Sequence, residues 1–168
     1  MRRISCFLLL LLYGLGEVQA EKANRASDFI ESMGICVHVF DDARYETVLK
    51  PRLQELGIKH LRIQLKRKGD NNRGNGEIQL NRMKELGELG YRITGLWHCW
   101  YPMSDFLNIT KFLLPNSIYQ AEGPNEPWNS AENFRWKDQG WPMGPVLFMQ
   151  DMDSTLKSDS LTSKIPIL

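Results

Sequence analysis

From residue 34 onward, short apolar runs of strand length alternate with longer amphipathic stretches of helix length. The first run is Gly34 to Phe40, "GICVHVF". Tyr45 to Leu56 then reads as a helix with Tyr45, Val48, Leu49, Leu53 and Leu56 on one face, and Gly57 is its stop signal. Pro51 must kink that helix or sit in its first turn. His60 to Leu65 is a second strand, and the polar loop "KRKGDNNRGNG" leads to a second helix over Ile78 to Leu89, ended by Gly90. Its glycines form no phosphate-binding pattern. Tyr91 to Trp97 is a third strand. A third helix follows, capped by Ser104 or Asp105 and stopped by Pro115. Ser117 to Glu122 is a fourth strand, and Pro145 to Lys157 is a fourth helix with Val146, Met149, Met152 and Leu156 on one side. The closing "KIPIL" starts a fifth strand. One strand and one helix recur about every thirty residues, the sign of a parallel α/β sheet. An open doubly wound sheet and a (β/α)8 TIM-type barrel both satisfy that pattern, and periodicity does not choose between them.

The first twenty residues stand apart. Arg2 and Arg3 precede an unbroken apolar run from Phe7 to Leu12, and Val18-Gln19-Ala20 closes the stretch on a small residue. This is the layout of a secretory signal peptide, and the apolar run is too short to span a bilayer. Residues 1–20 are therefore expected to be cleaved. Residues 21–168 then form a single secreted, extracellular domain without a membrane attachment. Acidic and basic residues nearly balance, 20 against 21 over the whole chain, which gives no reason to expect a nucleic-acid partner. Cys36 and Cys99 lie in apolar surroundings, and a disulfide and two buried thiols are both compatible with that. No zinc-ligand spacing is present, and neither a metal nor an organic cofactor is expected. Asn108-Ile109-Thr110 is a glycosylation sequon.

In both candidate architectures function sits at the carboxyl ends of the strands. There the chain places His38, Asp41 and Asp42 after strand one, and Arg62 and Gln64 on strand two. Trp97, His98, Trp100 and Tyr101 follow strand three; Asn125, Glu126 and Trp128 follow strand four. All five tryptophans fall after strands three and four. Aromatic faces suit sugars, and a carboxyl beside them suits the protonation of a glycosidic oxygen; anchors packed under long loops are the other reading of the same tryptophans. Pro124 and Pro127 bracket Glu126 and keep its segment from being helical. A plain salt-bridge former is the other reading of Arg62, core histidines that of His38 and His98, and Glu122 reads as a structural partner rather than a catalyst.

The "GPNEP" segment at the end of a fourth strand, with the strand order before it and the "LGIKHLRI" step into strand two, resembles the first half of a clan A glycoside hydrolase of the family 5 and 39 type. The resemblance implies a (β/α)8 barrel of which about the first four to four and a half units are present. It implies a carbohydrate substrate, with O-glycosidic bonds hydrolysed with retention. Glu126 would be the general acid and base, and Asn125 would bond the sugar 2-hydroxyl. Arg62 would orient carboxylates on the barrel floor, while His98 and Trp97 line the subsite. Trp128 and His38 would complete the binding cleft. A carboxyl ringed by Trp and Pro should also be hard to ionise.

The chain departs from that family in length. A full barrel takes about 250 residues, and retention needs a nucleophilic carboxylate about 5 Å from the acid, which the family supplies after a seventh strand. The chain is therefore expected to be the N-terminal part of a longer hydrolase and inactive alone. A sugar-binding protein that kept the aromatic cleft is the alternative. Self-association of two half barrels through their open edges is the third expectation.

Overall fold

The computed structural model describes residues 25–39, 44–71, 74–129 and 134–168. Residues 1–20, where a signal peptide is expected, and Asp41 and Asp42 lie outside the described residues. The elements are, in order, α1 (Ala26–Ser32), β1 (Gly34–Cys36), a π-helical turn (Tyr45–Leu49) running into α2 (Lys50–Leu56), β2 (His60–Gln64), α3 (Gly76–Glu88), β3 (Arg92–Leu96), α4 (Met103–Leu113), β4 (Ile118–Glu122) and α5 (Met143–Lys157). The four strands form one parallel sheet in the order β1-β2-β3-β4.

That order carries weight. Crossovers between parallel strands are right-handed, so strands added always on the same side put their helices on the same face. A doubly wound sheet reverses direction and covers both faces; no reversal occurs among these strands. The burial pattern agrees. Leu61, Ile63, Ile93, Ile118 and Ala121 point into one apolar core with Leu53, Met83, Leu86, Phe106, Ile109, Phe148 and Met152 of the helices. The alternate residues of β2, His60, Arg62 and Gln64, are only half-buried on the other face. A fully covered parallel sheet would be apolar on both faces.

The fourth strand carries a bulge. Ile93 pairs with Ile118, but Thr94 pairs with Gln120, so Tyr119 is an extra residue. A one-residue slip changes which side chains face which way. Here it aligns Gln120 and Glu122 with the open face. "KIPIL" runs beside β4 as a parallel bridge, Ala121 to Ile167, with Ala121 N–H donating to the Pro166 carbonyl at 2.9 Å and Leu168 N–H to the Ala121 carbonyl at 3.0 Å. The expected start of a fifth strand is present in that form.

Several expectations shift in detail. β1 stops at Cys36 instead of continuing to Phe40. The amphipathic stretch around Pro51 divides into a π turn and an α-helix with proline in its first turn. The wide turn relieves the ring of a clash with the carbonyl four residues back. Val48 and Leu56 consequently lie exposed, while Tyr45 and Leu53 are buried. Gly57 and Gly90 take positive φ (67° and 86°) where the helices end. Asn75 is an N-cap that the sequence reading missed, its Oδ1 accepting from Ile78 N–H at 3.0 Å. Neither Ser104 nor Asp105 caps α4; Pro102 holds the N-cap position and Asp105 lies in the first turn, where a negative charge still favours the helix dipole. The buried ridge of α5 is Gly144, Phe148, Met152 and Leu156, and Val146 faces solvent. Nothing in the sequence reading pointed to α1, none of whose residues is buried.

One polar cluster ties the first crossover to the second. Tyr45 Oη donates to Glu85 Oε2 at 3.0 Å, Lys50 Nζ pairs with Glu85 Oε1 and with Glu46 at 3.1 Å, and the Arg82 guanidinium lies 4.4 Å from the Tyr45 ring centroid. The hydrogen bond from Lys50, helped by that from Tyr45, holds the Glu85 carboxyl below its usual range against the opposing effect of burial. Burial, followed by the bond to Glu85, pushes the Tyr45 phenol well above its usual range.

Two outcomes are expected. Glu85 has a depressed folded-state pKa, so its contribution to stability is complete above the unfolded carboxylate value and disappears as pH falls through the folded one. Glu85→Gln should therefore be less stable than wild type at pH 7 in urea titrations. The gap should close at the acid end; a constant gap at all pH values would mean that the carboxylate charge is irrelevant. Gly87→Ala should destabilise although alanine is the better helix former by about 1 kcal/mol. The added Cβ would stand 2.6 Å from Ser117 Cα, a backbone atom that cannot rotate away. A net loss of roughly 1–3 kcal/mol is expected from such overpacking, and a stabilised variant would show that α3 and the start of β4 are not in close contact.

Candidate functional site

A single transverse row of side chains crosses the open face. Cys36, Arg62, Thr94 and Gln120 occupy paired positions on β1, β2, β3 and β4. Alternation along each strand puts them on the same side. With His60 and Glu122 they line a concave cavity of about 350 Å³.

Arg62 organises it. Its Nε donates to Glu122 Oε2 at 2.6 Å and its Nη2 to Glu122 Oε1 at 2.7 Å, a bidentate pair. The same Nη2 reaches Asn125 Oδ1 at 3.2 Å, and Nη1 lies 3.9 Å from Cys36 Sγ. The bond to Glu122 raises the guanidinium further above its ordinary value, against the smaller effect of burial. Gln120 Nε2 donates to Thr94 Oγ1 at 2.8 Å. Glu122 is thus an ion-pair partner of Arg62, and Arg62 contacts groups at and beyond the carboxyl end of β4.

Beyond β4 the chain turns sharply. Gly123 is buried against Met149, and Glu126 takes φ 43°, a left-handed conformation uncommon for a residue with a side chain. Asn129 N–H closes the turn on the Glu126 carbonyl at 2.8 Å, and Asn129 Nδ2 donates to Glu126 Oε2 at 3.2 Å. Glu126 and Asn125 are both exposed. The ring of tryptophan and proline expected around Glu126 does not remove it from water here, because Trp128 points outward and is itself 64% exposed.

The aromatic residues separate into two groups. Trp97 is fully buried, 5.3 Å from the rings of Tyr101 and Phe106, and belongs to the core rather than to a cleft. Phe134 and Trp136 pack edge-on against Phe148. The Trp136 indole donates to Asp151 at 2.7 Å, and Lys137 joins it at 2.9 Å, fastening this loop to α5. Trp100, Trp128 and Trp141 are exposed; the last two meet edge to face at 6.1 Å. Packing accounts for Trp97 and Trp136, whereas Trp100, Trp128 and Trp141 are exposed. His98 is buried, stacked on Trp100 at 3.8 Å and beside Cys99 Sγ at 3.3 Å. His38 is exposed. Cys36 and Cys99 are not joined in a disulfide. Asn108 is exposed on α4, away from this face.

Cys36, Thr94 and Gln120 are site residues that sequence reasoning passed over. The alternation in "HLRIQ", apolar at Leu61 and Ile63 and polar between them, was the available signal for a polar sheet face. Among the described residues no group of three or more His, Cys, Asp and Glu is arranged to hold a metal ion, and no helix is long and apolar enough to cross a membrane. No protein-family model, no curated protein and no solved structure matches this chain.

If Arg62 and Glu122 hold each other across the sheet, their deletions should not add. Arg62→Met should cost more than the Arg62→Met/Glu122→Met double variant relative to Glu122→Met. A coupling of roughly 1–2 kcal/mol is expected for a contacting charged pair that water partly reaches. Additive single effects in chemical denaturation would show that the pair is not coupled.

Proposed function

We propose that this chain supplies the acid/base part of a secreted, retaining glycoside hydrolase with a (β/α)8 barrel. The observation that carries the reading is Arg62. It holds the Glu122 carboxylate and the Asn125 amide oxygen together at the carboxyl end of β4, and Glu126 is the next residue along the chain. Sequential parallel strands with a polar concave face also suit a barrel interior. In the reaction, Glu126 would protonate the departing glycosidic oxygen and later take a proton from the attacking water. Asn125 would donate from its amide nitrogen to a sugar hydroxyl, its oxygen being taken by Arg62. Retention further requires a nucleophilic carboxylate about 5 Å from the acid. Glu122 is a poor candidate, since both its oxygens accept from Arg62.

Sugar binding without turnover is the second reading, favoured by the exposed pair of Trp128 and Trp141, the first of which lies two residues after Glu126. Two measurements separate the readings. The 168-residue chain alone should not hydrolyse aryl glycosides at ordinary rates; turnover abolished by Glu126→Gln would instead show that the nucleophile is already present. Oligosaccharide titration should give binding that weakens in Trp128→Ala, by roughly 1 kcal/mol or more for loss of an aromatic face. Binding indifferent to Trp128 would count against the aromatic cleft.

A further inference from the structure

Thr110 is out of place for the fold alone. It is fully buried on α4, and its hydroxyl has no hydrogen-bond partner among the described residues. A buried threonine in a helix ordinarily bonds a carbonyl three or four residues back. A buried hydroxyl without a bond is costly, and valine would fill nearly the same space without that penalty. Two residues earlier stands Asn108, exposed in mid-helix, where asparagine is a poor helix former. The two residues that α4 gains least from are the Asn and Thr of the sequon.

Asn108 also borders a groove between α3 and α4. Leu80 and Ile109 form its floor, Phe112 one wall, and Lys68, Glu77 and Asn81 its polar rim, around a volume of about 260 Å³. Lys68 and Glu77 pair at 3.1 Å on that rim. Phe112 lies one helical turn beyond Asn108, hence on the same face, and is 44% exposed. An apolar wall with polar groups at its edge is the chemistry that receives a pyranose ring.

We propose that Asn108 carries an N-linked glycan whose first N-acetylglucosamine lies in this groove over Phe112. In the transfer, Asn108 Nδ2 forms a bond to sugar C1 and loses a proton. The bond from C1 to the phosphate oxygen of a lipid-diphosphate-linked oligosaccharide donor breaks, and the lipid diphosphate leaves. Because the Thr110 hydroxyl is inaccessible after folding, the sequon is read on the unfolded chain, and the sugar then docks as α4 packs. The inference rests on the leader at residues 1–20 and is independent of the glycosidase reading.

The test is expression of the full chain in a secretory eukaryotic host, with peptide mapping of Asn108 after enzymatic deglycosylation in heavy-oxygen water. Modified Asn108 is expected; an unmodified Asn108, whether the chain is secreted or retained, overturns the proposal. Thermal midpoints then address the groove. The glycosylated chain and the form trimmed to one N-acetylglucosamine should both melt about 2–4 °C above Asn108→Gln, the shift that a modest stabilisation gives a domain of this size. Phe112→Ser should abolish that difference. Equal midpoints for the trimmed form and Asn108→Gln would overturn docking of the first sugar. Thr110→Val, made in a host that does not glycosylate, should melt higher than wild type; a lower midpoint would mean that the hydroxyl is satisfied in the fold and would remove the argument from Thr110.

Discussion

The bidentate pair of Arg62 and Glu122 joins β2 to β4 across the intervening β3. It neutralises two charges on a face that water only partly reaches, and the Nη2 that bonds Glu122 also holds Asn125. Either charge alone would keep only part of its hydration at that depth, so the pairing favours both. The bulge at Tyr119 has its meaning in this context: the extra residue is what brings Glu122 to the Arg62 side of the sheet. The position of the Asn125-Glu126 segment therefore follows from an ion pair and a register shift together.

The two faces of the sheet obey different physics. On the helix side, apolar burial is continuous from Tyr45 through Met83 and Phe106 to Phe148, and this supplies the cohesion of the domain. The open side is a row of polar groups that satisfy one another, Gln120 with Thr94 and Arg62 with Glu122. A polar concave face on a sequentially ordered parallel sheet is the feature that any functional account must use. The loop after β4 is held by a separate device, Asp151 accepting from the Trp136 indole and Lys137. These bonds hold the Asp151 carboxyl below its ordinary range.

Recognition and cohesion compete for the same residue types. Aromatic side chains gathered after strands three and four are either packed or exposed, and the direction of each ring decides which. Trp97 follows β3 into the core, whereas Trp128 leaves β4 at a turn whose left-handed Glu126 directs the chain outward. A carboxylate in such a turn is accessible to a ligand in solution and is restrained by Asn129 alone among the hydrogen bonds described for it.

Residue order alone set the alternation of elements, the positions of the four described strands to within a few residues and the glycine stops at Gly57 and Gly90, because these depend on local periodicity and backbone freedom. It also made Arg62, Glu122 and Asn125 conspicuous, through polar residues at strand ends. Tertiary structure decided the rest. The partnership of Arg62 with Glu122 spans sixty positions, the bulge depends on pairing with β3, and the burial of Trp97 against the exposure of Trp128 depends on which neighbours each ring meets. Those are properties of contacts between distant segments, and a linear pattern of residue types carries no record of them.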